Sequence, residues 1–439
     1  MDCVTSRDRY GLRITAAPAA ARAYDAALDD LLRLRSGAVE GFATAIALDP
    51  AFALGHAALA LLGHESCARV DIAGRMRDAE RHAPTATERE RSHIGAVLAH
   101  LRGDSQPLLR HLGDFPLDAM LLSTAVPTIA FAGVTSVPDE AWSLVESAGP
   151  AYGDDWWFTG LLAFVRQEQG RFDEAMELSC RSLAEEPGAG HSAHARAHAH
   201  YETGDHQAGL RWMDAWVAGD GASIDSLSHF SWHAALHELS MGDLDGVRRR
   251  YETQLRPQDS IGCRALVDTG SLLWRWALTP GAADVPGMED VIGVTGRDVL
   301  ERPSTPFLAM HAAVALLSVG DVDGLEALRA HASRSRDDVQ REVVAPLASA
   351  MSLLAHDEHS AGADALAALS RACGRLGGSD AQREVVEETR IAALLRAGRW
   401  DDARSLIDRR LDRRTCRRDE DWRRLTLEQA ALRQADVLT

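Results

Sequence analysis

An all-α chain of tetratricopeptide-like helical hairpins, stacked into a right-handed superhelical solenoid, is the fold that three features of the sequence predict. The first is a repeated turn: Gly170-Arg-Phe-Asp-Glu-Ala175 and Gly204-Asp-His-Gln-Ala-Gly209 carry the same helix-stop and helix-start signal 34 residues apart, the period of that repeat. The second is Pro187, which closes the intervening unit where such a repeat places its proline. The third is recurrence, because Gly242-Asp243, Gly320-Asp321 and Gly398-Arg-Trp-Asp-Asp-Ala403 punctuate the later chain in the same way. Gly ends a helix by adopting a left-handed conformation, Asp173 or Asp205 is placed to cap the next helix, and Ala at the crossing lets two antiparallel helices approach closely.

Taken in order, Ala17 to Leu34 and Ala38 to Leu48 are Ala/Leu-rich amphipathic stretches. Leu48-Asp-Pro50 stops the second, and Ala51 to Gly63 follows with Leu59-Ala60 as its packing pair. Thr85 to Leu101 opens on Thr85-Ala-Thr87 and Glu88 and ends at Gly103-Asp104; its His93 and His100 are seven apart and share a face. Gln106 to Leu112 is short and closed by Pro116, Leu117 to Phe131 should kink at Pro127, and Pro138 to Ser147 completes that hairpin. Beyond the central repeats, Ser226 to Ser240 pairs with Asp243 to Leu255. Leu266 to Leu278 is stopped by Pro280-Gly281, and residues 281 to 306 are the least regular part of the chain. Phe307 to Ser318, Val322 to Ala332, Val339 to His356, Gly362 to Gly374, Gln382 to Ala397 and Asp401 to Leu411 then alternate as helices. The count comes to about nine to ten hairpins in one domain over residues 1–439, with 409–439 as a solvated C-terminal cap.

Composition narrows the function. With 47 basic residues (Lys+Arg) against 65 acidic ones, the net charge of −18 opposes phosphate backbones and anionic membranes, so neither nucleic acid nor a membrane surface is an expected partner. The chain contains no lysine and no asparagine. That removes Schiff-base and pyridoxal chemistry, the usual phosphate-binding loop and any N-glycosylation sequon. The six cysteines are scattered without a Cys-x-x-Cys, which reads as reduced thiols in a cytoplasmic protein. The polar start lacks a signal-peptide core, and no run approaches the roughly 18 apolar residues of a membrane span.

The segments Asp8-Arg-Tyr-Gly-Leu12, Ala23-Tyr-Asp-Ala-Ala-Leu28, Ala47-Leu-Asp-Pro50, Thr87-Glu-Arg-Glu-Arg-Ser-His93, Ala151-Tyr-Gly-Asp-Asp-Trp-Trp157, Ala197-His-Ala-His200, His229-Phe-Ser-Trp-His233, Leu272-Leu-Trp-Arg275 and His311-Ala-Ala313 span nearly the whole chain. Together they resemble the family typified by tetratricopeptide repeat protein 38. The resemblance implies an all-helical repeat fold and little about activity. Phe230, beside His229, departs from the more polar residue that family leads one to expect.

Chemistry is expected on the inner face, which the first helix of each hairpin lines through roughly its second, fifth, ninth, twelfth and thirteenth positions. At about 100° per residue, His191, His194, His198, Tyr201 and Glu202 fall on one stripe. The same register selects Trp157, Phe164 and Glu168 from the preceding helix. It also selects His229 and Trp232 with His233 adjacent, then Asp268, Ser271 and Arg275, with His93 and His311 from flanking units. Their convergence in one enclosed space is the central expectation. In the leading reading the groove holds a small molecule or peptide, with His93, Trp157, His191, Trp232, His233, Asp268, Ser271, Arg275 and His311 as contacts. In the alternative, His194, His198, His229, Tyr201 and Glu202 perform lysine-independent acid–base catalysis of a lyase, cyclase or hydrolase type. A third reading puts a metal on the i, i+4 pair His194 and His198 with His229 or Glu202 completing its shell; Ala195 stands where a zinc protease would carry Glu, and no cofactor is favoured. Singly, each imidazole or indole is as readily a buried packing residue, and Asp268 with Arg275 an ion pair along one helix.

Overall fold

The computed structural model describes residues 5–65, 70–126, 138–222, 227–260 and 263–437. These form an all-α protein of consecutive antiparallel helical hairpins, apart from one two-stranded β-hairpin. The turn grammar read from the sequence is explicit in the backbone. Gly170, Gly204, Gly242, Gly320 and Gly398 all take positive φ between 65° and 74°, the region an L side chain resists. Asp243 and Asp321 accept from the backbone N–H groups of Gly246 and Gly324, capping the helices that follow. Asp173 does not cap; the helix Phe172–Glu185 starts behind Arg171 with no side-chain cap.

Contacts divide the chain into two compact units, the first comprising Met1–Arg196 with Trp216–Ser226 and the second Ala197–Ala215 with Leu227–Thr439. The first unit begins with strands Thr5–Arg7 and Arg13–Thr15, whose turn is held by the Asp8 carboxylate accepting from the N–H groups of Tyr10 and Leu12. Helices Pro18–Arg33 and Ala38–Leu48 follow, and their crossing is tight enough that a Cβ on Gly41 would lie 2.7 Å from that of Ala27. Ala53–Glu65 pairs with Ile72–His82, a helix the sequence reading passed over. Glu88–His100 starts on a capping box between Thr87 and Glu90 and pairs with Gln106–Asp114. Ala119–Ala125, Pro138–Tyr152, Trp156–Glu168 and Phe172–Glu185 complete the series. The kink expected at Pro127 lies outside the described residues. Tyr24, Phe42, Phe52, Leu61, Leu121, Trp157 and Leu161 anchor this unit's core, each fully buried large side chain contributing about 1.5–3 kcal/mol.

After helices Gly190–Glu202 and His206–Ala218, the second unit takes Leu227–Met241 and Leu244–Gln254 as its next hairpin. The stretch expected as one helix over Leu266 to Leu278 opens as a π-helical segment, Ala265–Gly270, and continues as Ser271–Leu278. A second π segment, Gln340–Val344, precedes Ala345–Ala355 in the same manner. Short helices Glu289–Thr295 and Arg297–Glu301 occupy the irregular region. Pro306–Ser318 with Val322–Ser333, His359–Leu369, and Asp380–Arg396 with Trp400–Arg413 then lead to Arg417–Val437. The stretch expected as a solvated cap also has a buried face: Arg410, Arg414, Arg418 and Asp419 are buried, while Arg409, Asp412 and Arg417 are exposed. Arg410 and Arg418 converge on Glu388, and Arg410 also meets Asp419 at 2.8 Å. Buried guanidinium groups persist because each finds a carboxylate; desolvation would otherwise cost several kcal/mol.

Candidate functional site

The best-formed polar site lies in the second unit. Helix Leu227–Met241 is buried from His229 through Ser240, so its polar side chains must find partners inside the protein. His229, Trp232 and His233 sit at i, i+3 and i+4 and share one face. The Trp232 ring stacks on His229 at 5.5 Å and 13°, while His233 meets both of them edge-on at 4.7 and 4.8 Å. Opposite them, the π segment carries Asp268, fully buried. A π turn shifts the register of the side chains behind it, and such turns are frequent at functional sites.

His229 Nδ1 lies 2.8 Å from Asp268 Oδ1, and His233 Nε2 lies 3.3 Å from His229 Nε2. The carboxylate only accepts, so the His229 proton sits on Nδ1; the Nε2 lone pair then accepts from His233 Nε2–H. Asp268 thereby fixes the tautomer of one imidazole and, through it, of the next. Burial alone would raise the Asp268 carboxyl, but the electrostatic pull and Nδ1–H bond of His229 outweigh it, aided by Arg264 at 3.5 Å, and hold it below the ordinary carboxylate range. The imidazoles move the other way. Burial, with His198 and His229 adding to it, pushes His233 well down; burial, then His229 and Arg383, brings His198 to about 3. His198 packs edge-on against His233 at 4.5 Å.

His311, on Pro306–Ser318, is edge-on to Phe307 at 4.8 Å and buried. Burial and Arg275 press it down to about 3 against the pull of Asp268. Neither of its ring nitrogens has a hydrogen-bond partner among the described residues, and neither does Trp232 Nε1. Leaving a buried donor or acceptor unsatisfied costs about 1–3 kcal/mol each.

The remaining expected residues have other occupations. Arg275 does not pair with Asp268. Its Nη1 meets Glu388 at 3.1 Å, its Nε donates to Ser271 Oγ, and its Nη2 donates to the carbonyls of Ala381 and Gln382. Tyr201 donates to Glu384 Oε2 at 3.0 Å and accepts from Arg414 at the same distance, and Arg414 also holds Glu202 at 2.8 Å. Tyr201, Glu202, Ser271 and Arg275 therefore belong to the buried charge network that docks the C-terminal helices.

In the first unit, His191 meets Trp157 edge-on at 6.4 Å, and His194 stacks on Phe164 at 5.4 Å and 18°. Burial brings His191 to about 4 despite a hydrogen bond with the Leu31 backbone. His93 Nδ1 lies 2.8 Å from Asp118 Oδ2, which also takes His111 Nε2 at 3.1 Å and Arg89 Nη1 at 3.2 Å. Three donors on one carboxylate oxygen explain this cluster without a metal, because both imidazoles turn N–H groups rather than lone pairs toward Asp118. The guanidinium of Arg89 would in addition repel a cation. Asp118 and His111 were not picked out from the sequence, where nothing marks either as unusual.

No family model matches the chain. Among solved structures, that of yeast Tom70 is similar at a TM-score of 0.34 and 11% identity, over 94% of this chain and 88% of that one. Among the described residues, no helix is long and apolar enough to cross a membrane.

Proposed function

We propose that this chain binds a small, neutral, hydrogen-bonding molecule at the Asp268–His229–His233 cluster of its second unit. The observation that carries this reading is the set of buried atoms with unused hydrogen-bonding capacity around that cluster, Trp232 Nε1 and both nitrogens of His311. A ligand offering one donor and two acceptor lone pairs converts their desolvation cost into affinity. Neutrality follows from the charge balance, since the single carboxylate Asp268 is matched by Arg264 and burial disfavours the cationic forms of His198, His233 and His311. The Trp232 indole favours a ligand with a flat apolar face.

A second reading, acid–base catalysis, draws on the His229–Asp268 bond. An anionic carboxylate on Nδ1 makes the opposite nitrogen a better proton acceptor and stabilises the imidazolium that proton uptake would create. In this reading His229 is the base, His233 relays a proton from the bound molecule to it, and Asp268 orients both.

Equilibrium dialysis of the purified chain against a metabolite extract, read by mass spectrometry, tests the binding proposal. One compound retained near one per chain by the wild type and lost from both Trp232→Phe and His233→Gln is the expected result. Retention unchanged in both variants contradicts it. Conversion of the retained compound during dialysis, abolished by Asp268→Asn, selects the second reading.

A further inference from the structure

A separate feature of the second unit is a groove of about 670 Å³ over helix Asp380–Arg396, flanked by His359–Leu369 and Trp400–Arg413. Its apolar lining comes from Leu366, Val386 and Leu406, one residue from each helix. Its charged lining is unevenly matched. Arg383 is paired with Asp380, Glu384 with Arg414, and Glu387 with Arg413 at 3.4 Å. Arg390 and Arg409 are left over: among the described residues neither has an acidic partner within ion-pair distance, and Arg409 contacts only the Ser405 hydroxyl, at 3.0 Å. Arg390 Nε is buried with no hydrogen-bond partner. Burial, then the neighbouring Arg409, holds the Arg390 guanidinium below the ordinary arginine range, and Glu387 and Asp364 offset this only in part. Asp412, exposed at the lining, is the remaining acid.

A half-buried guanidinium beside a second cation is an unfavourable arrangement until an anion joins it. Guanidinium groups match carboxylates through planar, bidentate hydrogen bonds, and the adjoining Leu366, Val386 and Leu406 can cover an apolar tail. The volume is that of a small-molecule site. We infer that this groove binds a small amphipathic carboxylate, its head on Arg390 and Arg409 and its chain over Leu366, Val386 and Leu406.

Isothermal titration of the full chain with octanoate, with inorganic phosphate as a second arm, tests the assignment. Saturable octanoate binding near one per chain is expected, weakened at least tenfold in Arg390→Gln and in the exposed Arg409→Gln, and unchanged in Arg404→Gln, whose partner is Asp401 outside the groove. Phosphate should bind at least tenfold more weakly than octanoate. The inference is overturned by no octanoate binding to the wild type, by equal binding to Arg390→Gln and Arg409→Gln with their thermal midpoints retained, or by phosphate binding as tightly as octanoate. The Arg409 variant keeps the test open should the Arg390 variant fold poorly, because Arg409 is exposed and holds only a serine on its own helix.

Discussion

His229 and Asp268, 39 positions apart in sequence, meet at 2.8 Å inside the second unit, the carboxylate being fully buried. Asp268→Asn keeps the size of the side chain but removes the anion that fixes the His229 tautomer and that Arg264 approaches at 3.5 Å. The expected outcome is loss of ligand retention together with about 1–3 kcal/mol of stability, measured by urea unfolding. His229→Gln should lose retention to a similar degree. Equal retention in both variants would separate the pair from the site.

Buried imidazoles give the chain a predictable weakness in acid. His191 and His206 are brought to about 4, and His198 and His311 to about 3, all chiefly by burial, from an ordinary value of 6.5. Below pH 6.5 the unfolded chain takes up protons that these folded sites refuse, so stability is full above that pH and falls as pH drops toward 4. Each contributes a slope of up to about 1.4 kcal/mol per pH unit. Asp8 opposes them, because burial raises its carboxyl to about 6, and between its ordinary 3.8 and that value the folded state holds the extra proton. Unfolding midpoints measured from pH 7 to 5 should therefore fall steeply, and His311→Leu should make the fall shallower. A flat profile across that window would contradict the burial of neutral imidazoles.

The C-terminal helices are held by charge in the interior. Glu388→Gln leaves Arg275, Arg410 and Arg418 facing a neutral amide, and uncompensated buried charge costs about 3–5 kcal/mol. Chemical denaturation should show that loss, and limited proteolysis should show faster cleavage after residue 410. Arg329→Gln, which breaks the exposed pair with Glu326, should leave the denaturation midpoint where it was.

Two glycines separate close packing from simple helix propensity. A Cβ at Gly209 would lie 2.6 Å from the His237 ring and 2.8 Å from the His200 Cβ, so Gly209→Ala should destabilise by about 1–3 kcal/mol. Gly95, inside helix Glu88–His100, has nothing within 4 Å of that position. Gly95→Ala should stabilise by up to about 1 kcal/mol, read from the thermal midpoint.

Local rules made much of this fold legible. Five turn glycines at positive φ and the shared face of His229, Trp232 and His233 follow from spacing alone. Pairings across the chain do not. The hairpin register places His229 and Asp268 on one inner face but does not pair them, and the π turn that carries Asp268 leaves no periodic signature. Helix Ile72–His82 was missed because it buries only Gly74 and Ala79 and is otherwise rich in charge. Strands of three residues are too short to show alternation. Charged composition also misled at the C-terminus, where a run such as Arg409 to Arg424 looks solvent-facing in one dimension. Only the third dimension brings Glu384, Glu388 and Glu202 to its arginines.

The buried Asp268 carboxylate sets the proton positions of the two facing imidazoles His229 and His233. Nitrogen-15 NMR of the histidine side chains at neutral pH tests it most directly. The expected result is His229 protonated at Nδ1 with an unprotonated Nε2, and His233 protonated at Nε2, with Asp268→Asn changing the His229 pattern. His229 protonated at Nε2 alone, or a doubly protonated His233, would contradict it.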